Sequence, residues 1–168
     1  MKSWGVITLV LALAGILLNG CATNGESQSV RGSREALFPF PQQPADSIRL
    51  VIYRPQVLVG MLGRPVVIVN GQRIGNPGSP VTENPLLPGT VFVVDAPASL
   101  ARVWWWQSGQ GEAADKAISY AGPAGARRYL RWTLSATYGY LQEVEEAPAI
   151  EEIASLRFSA YVNLLARN

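Results

Sequence analysis

Histidine is absent from this chain, and cysteine occurs once, as Cys21. The first absence removes the commonest general base and the commonest transition-metal ligand. Ser-His-Asp and Cys-His catalysis are excluded with it. A single cysteine excludes an internal disulfide, so any fold here is held by packing alone. Charge of either sign is also scarce: 14 Lys and Arg stand against 12 Asp and Glu, with no basic block. Nucleic-acid binding therefore has no electrostatic footprint. A long apolar span is missing too. The one uninterrupted apolar run, Trp4 to Leu18, would reach roughly 22 Å as a helix, short of the ~30 Å hydrocarbon core of a bilayer.

That short run carries the clearest signal present. Lys2 gives a basic start, the apolar segment follows, and Leu18-Asn19-Gly20-Cys21 closes it. This order describes a secretory signal rather than a permanent span. The last four residues resemble a bacterial lipobox. The Cys21 thiol is the group that takes diacylglycerol, and Gly20 is the small residue before the cut. Leu18 is the aliphatic position, and Asn19 departs from the usual small or aliphatic residue. The expected product loses residues 1–20 by cleavage between Gly20 and Cys21 and is held to the lipid bilayer by acyl chains, palmitate among them, on Cys21. One chain holds a protein marginally, whereas several hold it stably. Ala22, rather than Asp, follows the cysteine. The expected destination is the outer membrane of a Gram-negative envelope, on its periplasmic face.

Residues 21–46 read as the lipidated cysteine and a flexible linker. Ala22 to Ser33 is small and polar, with nothing to bury. Phe38-Pro39-Phe40-Pro41 differs, because alternating aromatics and prolines favour an extended segment able to lie on a domain.

From Ser47 the pattern becomes β. Ile48, Leu50 and Ile52 alternate with Arg49, Val51 and Tyr53, the period of a half-buried strand. Pro65 to Asn70 is a continuous apolar strand, and Asn70-Gly71 predicts a type I′ hairpin turn. Pro88-Gly89 predicts the centre of a type II turn. Strands are expected at 91–95, 100–106, 116–121, 129–137 and 138–144. Pro148 suits a helix start with Glu151 and Glu152 near the positive end, which predicts a short helix over 148–156. Residues 156–165 fit a strand and a continued helix equally. The whole predicts a mainly β domain over residues 47–168: an antiparallel β-sandwich of about seven or eight short strands with a short C-terminal helix.

Several motifs occur together: Val51-Ile-Tyr-Arg-Pro55, Val69-Asn-Gly-Gln-Arg-Ile-Gly75, Leu87-Pro-Gly89, Arg128-Tyr-Leu-Arg-Trp132, and Glu146-Ala147 leading to Glu152-Ile153. In that order they resemble an uncharacterised family of bacterial lipoproteins, a domain of unknown function. The resemblance implies a small β-sandwich on a lipid anchor. It carries over no catalytic residue.

Trp104-Trp105-Trp106 is the most unusual local feature. In a strand Trp105 shares a face with Ala101 and Val103, while Trp104 and Trp106 share the other with Arg102. One reading is an aromatic platform for a glycan, a small ligand or an envelope protein. The favoured reading puts one face in the core and covers the other with a loop or with the Phe38–Phe40 segment. Glu143, Glu145, Glu146, Glu151 and Glu152 lack the spacing of a calcium loop and read as a solvated turn and helix start. Arg127, Arg128 and Arg131 read as surface cations paired with nearby acids. No cofactor, metal site or catalytic set is expected, and the function expected is a non-catalytic binding or accessory module.

Overall fold

In the computed structural model the described residues are 40–57, 63–75, 85–107, 111–135 and 138–165. The expected signal segment over residues 1–20, Cys21, the expected linker up to residue 39 and residues 76–84 lie outside them. Two sheets organise the described fold. The first is five-stranded, in the order β10-β4-β1-β8-β9. Its strands are β1 (Ser47–Arg54), β4 (Thr90–Pro97), β8 (Arg127–Leu134), β9 (Gly139–Val144) and β10 (Arg157–Asn163). The second runs β3-β2-β5-β6, with β7 also paired to β5. It contains β2 (Val66–Val69), β3 (Gln72–Arg73), β5 (Ala101–Gln107), β6 (Gly111–Glu112) and β7 (Ile118–Tyr120). One helix, α1 (Glu146–Ile153), joins β9 to β10.

The period-2 pattern decides which side chains meet. Ile48, Leu50 and Ile52 of β1, Phe92, Val94 and Ala96 of β4, Leu130 and Trp132 of β8, and Ala160 and Val162 of β10 join one cluster. Val67, Val69, Ala101, Val103 and Trp105 of the second sheet belong to the same cluster. The alternate residues Val51, Tyr53, Val91 and Tyr129 form a second cluster with Ala149, Ile153 and Leu156. Thus α1 packs on the outer face of the five-stranded sheet. Every residue of β1 is buried, so this strand is covered on both faces rather than half-buried.

The turns follow their residues. Asn70 and Gly71 have φ of 48° and 82°, the positive values a two-residue I′ hairpin needs. The Asn70 side chain also accepts from the Arg102 amide at 2.7 Å and donates to the Leu100 carbonyl at 3.2 Å. Gly89 has φ 73°, as the Pro-Gly turn requires.

Three expectations need correction, and one that was left open is decided. The first sheet is mixed, not antiparallel: β1 pairs β4 antiparallel but β8 parallel, and β4 pairs β10 parallel. Parallel neighbours need a crossover, and α1 supplies the one into β10. It carries the chain back from the Ser47 end to the Thr90 end, so β10 must run alongside β4 in the same direction. The helix starts two residues earlier than 148 and ends at Ile153. Pro148 is tolerated inside its first turn because amides there have no intrahelical acceptor. The tail resolves as strand β10, with a register shift between Phe158 and Ala160. The described residues hold ten strands, above the expected seven or eight, because the two-residue β6 has no pattern long enough to read and the undecided tail adds β10.

Candidate functional site

The tryptophan strand divides as its alternation predicts. Trp105 is buried and meets Trp132 edge-to-face, with ring centroids 5.6 Å apart and planes at 82°. Trp104 and Trp106 lie half-buried on the outward face. The register sets them opposite Ile68 and Val66, both buried. Much of the aromatic area is therefore spent covering the apolar outer side of β2. The Trp104 indole N–H donates to Glu112 Oε1 at 2.5 Å. The Arg102 guanidinium stands 5.7 Å from the Trp104 ring centroid, a cation–π distance. Trp104 is thus already held by a carboxylate and a cation.

The Phe38–Phe40 segment was expected to offer cover to these tryptophans. Phe40, its one described residue, packs on the other sheet, 5.9 Å from the Phe158 ring. There it caps a polar cluster that the alternation alone did not reveal. Arg49 on β1 and Asp95 on β4 are direct cross-strand partners, and both are buried. Arg49 donates through Nε and Nη2 to the two Asp95 oxygens at 2.8 and 2.7 Å. Nη2 also donates to the Pro41 carbonyl at 2.8 Å. The Tyr161 hydroxyl donates to Asp95 Oδ2 at 2.9 Å. The rings of Phe40 and Tyr161 lie 5.8 and 5.9 Å from the guanidinium carbon.

A buried ion pair survives only when its remaining valences are satisfied, and here two aromatic rings, a hydroxyl and a backbone carbonyl complete it. Burial works against the charged Arg49. The hydrogen bond and charge of Asp95, with Tyr161, outweigh it and hold the guanidinium pKa above its usual value. Burial, then Asp95, raises the Tyr161 hydroxyl. The available signal was two charges set inside apolar strands, Arg49 among Ile48, Leu50 and Val51, and Asp95 after Val91-Phe-Val-Val94.

The acidic residues pair outward as surface cations predict. Glu143 meets Arg128 at 3.3 Å and Glu152 meets Arg131 at 2.8 Å. Glu146 accepts from the Tyr129 hydroxyl at 3.1 Å. Burial first, then Glu146, pushes Tyr129 up to about 12. Tyr53 is raised by burial and then by Glu152. Arg127, Arg128, Tyr129 and Glu143 to Glu146 line an open groove of about 520 Å³. Its charges of both signs lie side by side, so it selects no one ligand charge.

Among the described residues no group of three or more His, Cys, Asp or Glu is placed to hold a metal ion. Among them, too, no helix is long and apolar enough to cross a membrane. The chain was compared with protein-family models, curated proteins and solved structures, and none matches.

Proposed function

We propose that this protein is a lipid-anchored envelope lipoprotein, of the kind its motifs resemble, whose β domain acts by binding rather than by catalysis. The observation that carries this reading is the position of the only cysteine. Cys21 closes Leu18-Asn19-Gly20-Cys21 directly after a short apolar run with a basic start. Acylated Cys21 is the anchor, and Ala22 directs the product to the outer membrane, periplasmic face. The two sheets and their shared cluster support a sandwich-type domain on this anchor.

The test is the mass of the N-terminal fragment of the mature protein from envelope membranes. Expected is a fragment starting at Cys21 and carrying acyl chains, with Cys21→Ser accumulating as the uncleaved precursor. A mature wild-type fragment with an unmodified thiol overturns the reading.

A second reading is a glycan or small-ligand site on the Trp104–Trp106 strand. What favours it is the half-buried outward face of Trp104 and Trp106 beside Arg102 and Glu112. Titration with peptidoglycan fragments tests it. A change in tryptophan emission that is lost in Trp104→Ala and Trp106→Ala supports it, and a flat titration removes it.

A further inference from the structure

We propose that the end of the domain formed by Val57, Leu87 and Phe158 is its bilayer-facing end and rests against lipid headgroups and upper acyl chains. The proposal rests on the lipid-anchor reading above and names the surface that the anchor brings to the membrane.

Three observations converge on this end. The described fold begins at Phe40, against Phe158, near the start of β10. That start lies beside the Thr90 end of β4, since Arg157 pairs with Thr90. Among the described residues, this end carries three of the five exposed large apolar side chains: Val57, Leu87 and Phe158 are 51%, 42% and 48% exposed. They are neighbours through the backbone. The Arg157 amide donates to the Gly89 carbonyl and the Gly89 amide to the Arg54 carbonyl. Gln56, next to Val57, lies over Gly89, and Thr90 Oγ1 donates to the Leu87 carbonyl. Exposed Arg157 adds a cation suited to lipid phosphate, and Glu152, near the same end, is already paired with Arg131.

Chain length supplies the third argument. Residues 22–39 separate Cys21 from Phe40, and a flexible chain of that length has a mean span of about 25 Å. That is no longer than an eight-residue strand, at about 26 Å. A tether of this span entering at the Phe158 end sets that end nearest the bilayer without winding the chain around the domain. It also makes the contact intramolecular, at an effective concentration of about millimolar or above. Three partly exposed apolar side chains would not recruit a free protein to a bilayer, but they suffice to orient one already tethered.

The test uses Leu100, which is 52% exposed and lies past the opposite end of β4, as the control. A photoreactive benzoylphenylalanine is placed singly at 57, 158 or 100 in the full-length acylated protein. The protein is reconstituted in phosphatidylethanolamine–phosphatidylglycerol vesicles or irradiated in native envelopes. Expected are lipid adducts several-fold more abundant at 57 and 158 than at 100 in both settings. Equal adducts at all three positions, none at any, or protein adducts replacing lipid at 158 in envelopes would overturn the proposal. The intact mass of the same preparation separates the two levels. An unacylated mature chain removes the anchor reading and this proposal with it, whereas an acylated chain with no preference for 57 and 158 removes this proposal alone.

Discussion

The two sheets use the same kinds of residue under different conditions. In the five-stranded sheet β1 and β4 are buried almost end to end, because α1, Phe40 and Tyr161 cover the face that does not meet the second sheet. In the second sheet β5 alternates buried with half-buried or exposed residues. The consequence shows in the ionic groups. Arg49 and Asp95 lie inside the first sheet as an ion pair enclosed by rings and hydrogen bonds. Arg102 and Glu112 lie on the outer side of the second, arranged around Trp104. A strand covered on both faces can carry charge only as a completed network, whereas a strand with one open face lets water do part of that work.

The sharpest way to break this contrast is at Asp95. Asp95→Ala leaves the buried Arg49 guanidinium without its carboxylate and is expected to cost about 3–5 kcal/mol. Arg102→Ala, the matching change on the open face, is expected to stay within about 0.5 kcal/mol. Denaturant midpoints of the two variants measure the difference, and equal losses would mean that the pair is not enclosed in solution.

Trp105→Ala and Trp104→Ala repeat the comparison inside one strand. The first empties a core site against Trp132 and should cost about 3–5 kcal/mol. The second removes a half-buried ring and one hydrogen bond and should cost about 1 kcal/mol. Thermal unfolding of both variants checks the ratio.

Gly139→Ala should come next. A Cβ there would lie 2.0 Å from Cζ2 of Trp132, so strand β9 or the indole must move, at about 1–3 kcal/mol. Near-ultraviolet circular dichroism would report the displaced indole alongside the stability loss.

Alkali brings a smaller effect, in which Tyr53 and Tyr129 of the helix-covered face take part. The folded pKa of Tyr129 is raised to about 12, against about 10 for an unfolded tyrosine. Tyr53 shifts in the same direction. Their contribution is complete below about pH 10 and is lost as pH rises towards 12, because the unfolded chain releases its phenolic protons first. Denaturation midpoints should hold steady from neutrality to about pH 9.5 and then fall, and Tyr129→Phe should flatten part of that fall. Little affected, like Arg102→Ala, should be Arg128→Ala, which removes an exposed ion pair with Glu143 and should change stability by about 0–1 kcal/mol.

Short-range features were legible in the chain because their physics is local. The Asn70-Gly71 hairpin, the Gly89 turn, the division of Trp105 from Trp104 and Trp106 and the inward row of Ile48, Leu50 and Ile52 follow from φ preferences and side-chain alternation. The outward row of β1 was harder. Arg49, Val51 and Tyr53 alternate with apolar residues as a solvent-facing row would, yet all three are buried. The side chains that cover them come from residues 40–41 and 149–161, far away in sequence. Gly139 carried no turn signal, since its need is room for an indole on the neighbouring strand.

By itself the sequence determined the mainly β class, the turn positions, which residues of a strand share a face, and the Leu18-Asn19-Gly20-Cys21 order on which the proposed anchor rests. Each of these depends on residues within a few positions of one another. Only the tertiary structure decided that β1 runs parallel to β8, that α1 and Phe40 cover one sheet, and that Arg49 finds Asp95. Strand direction and cross-sheet pairing are settled by which surfaces remain to be covered after the local elements have formed, and no local pattern records that.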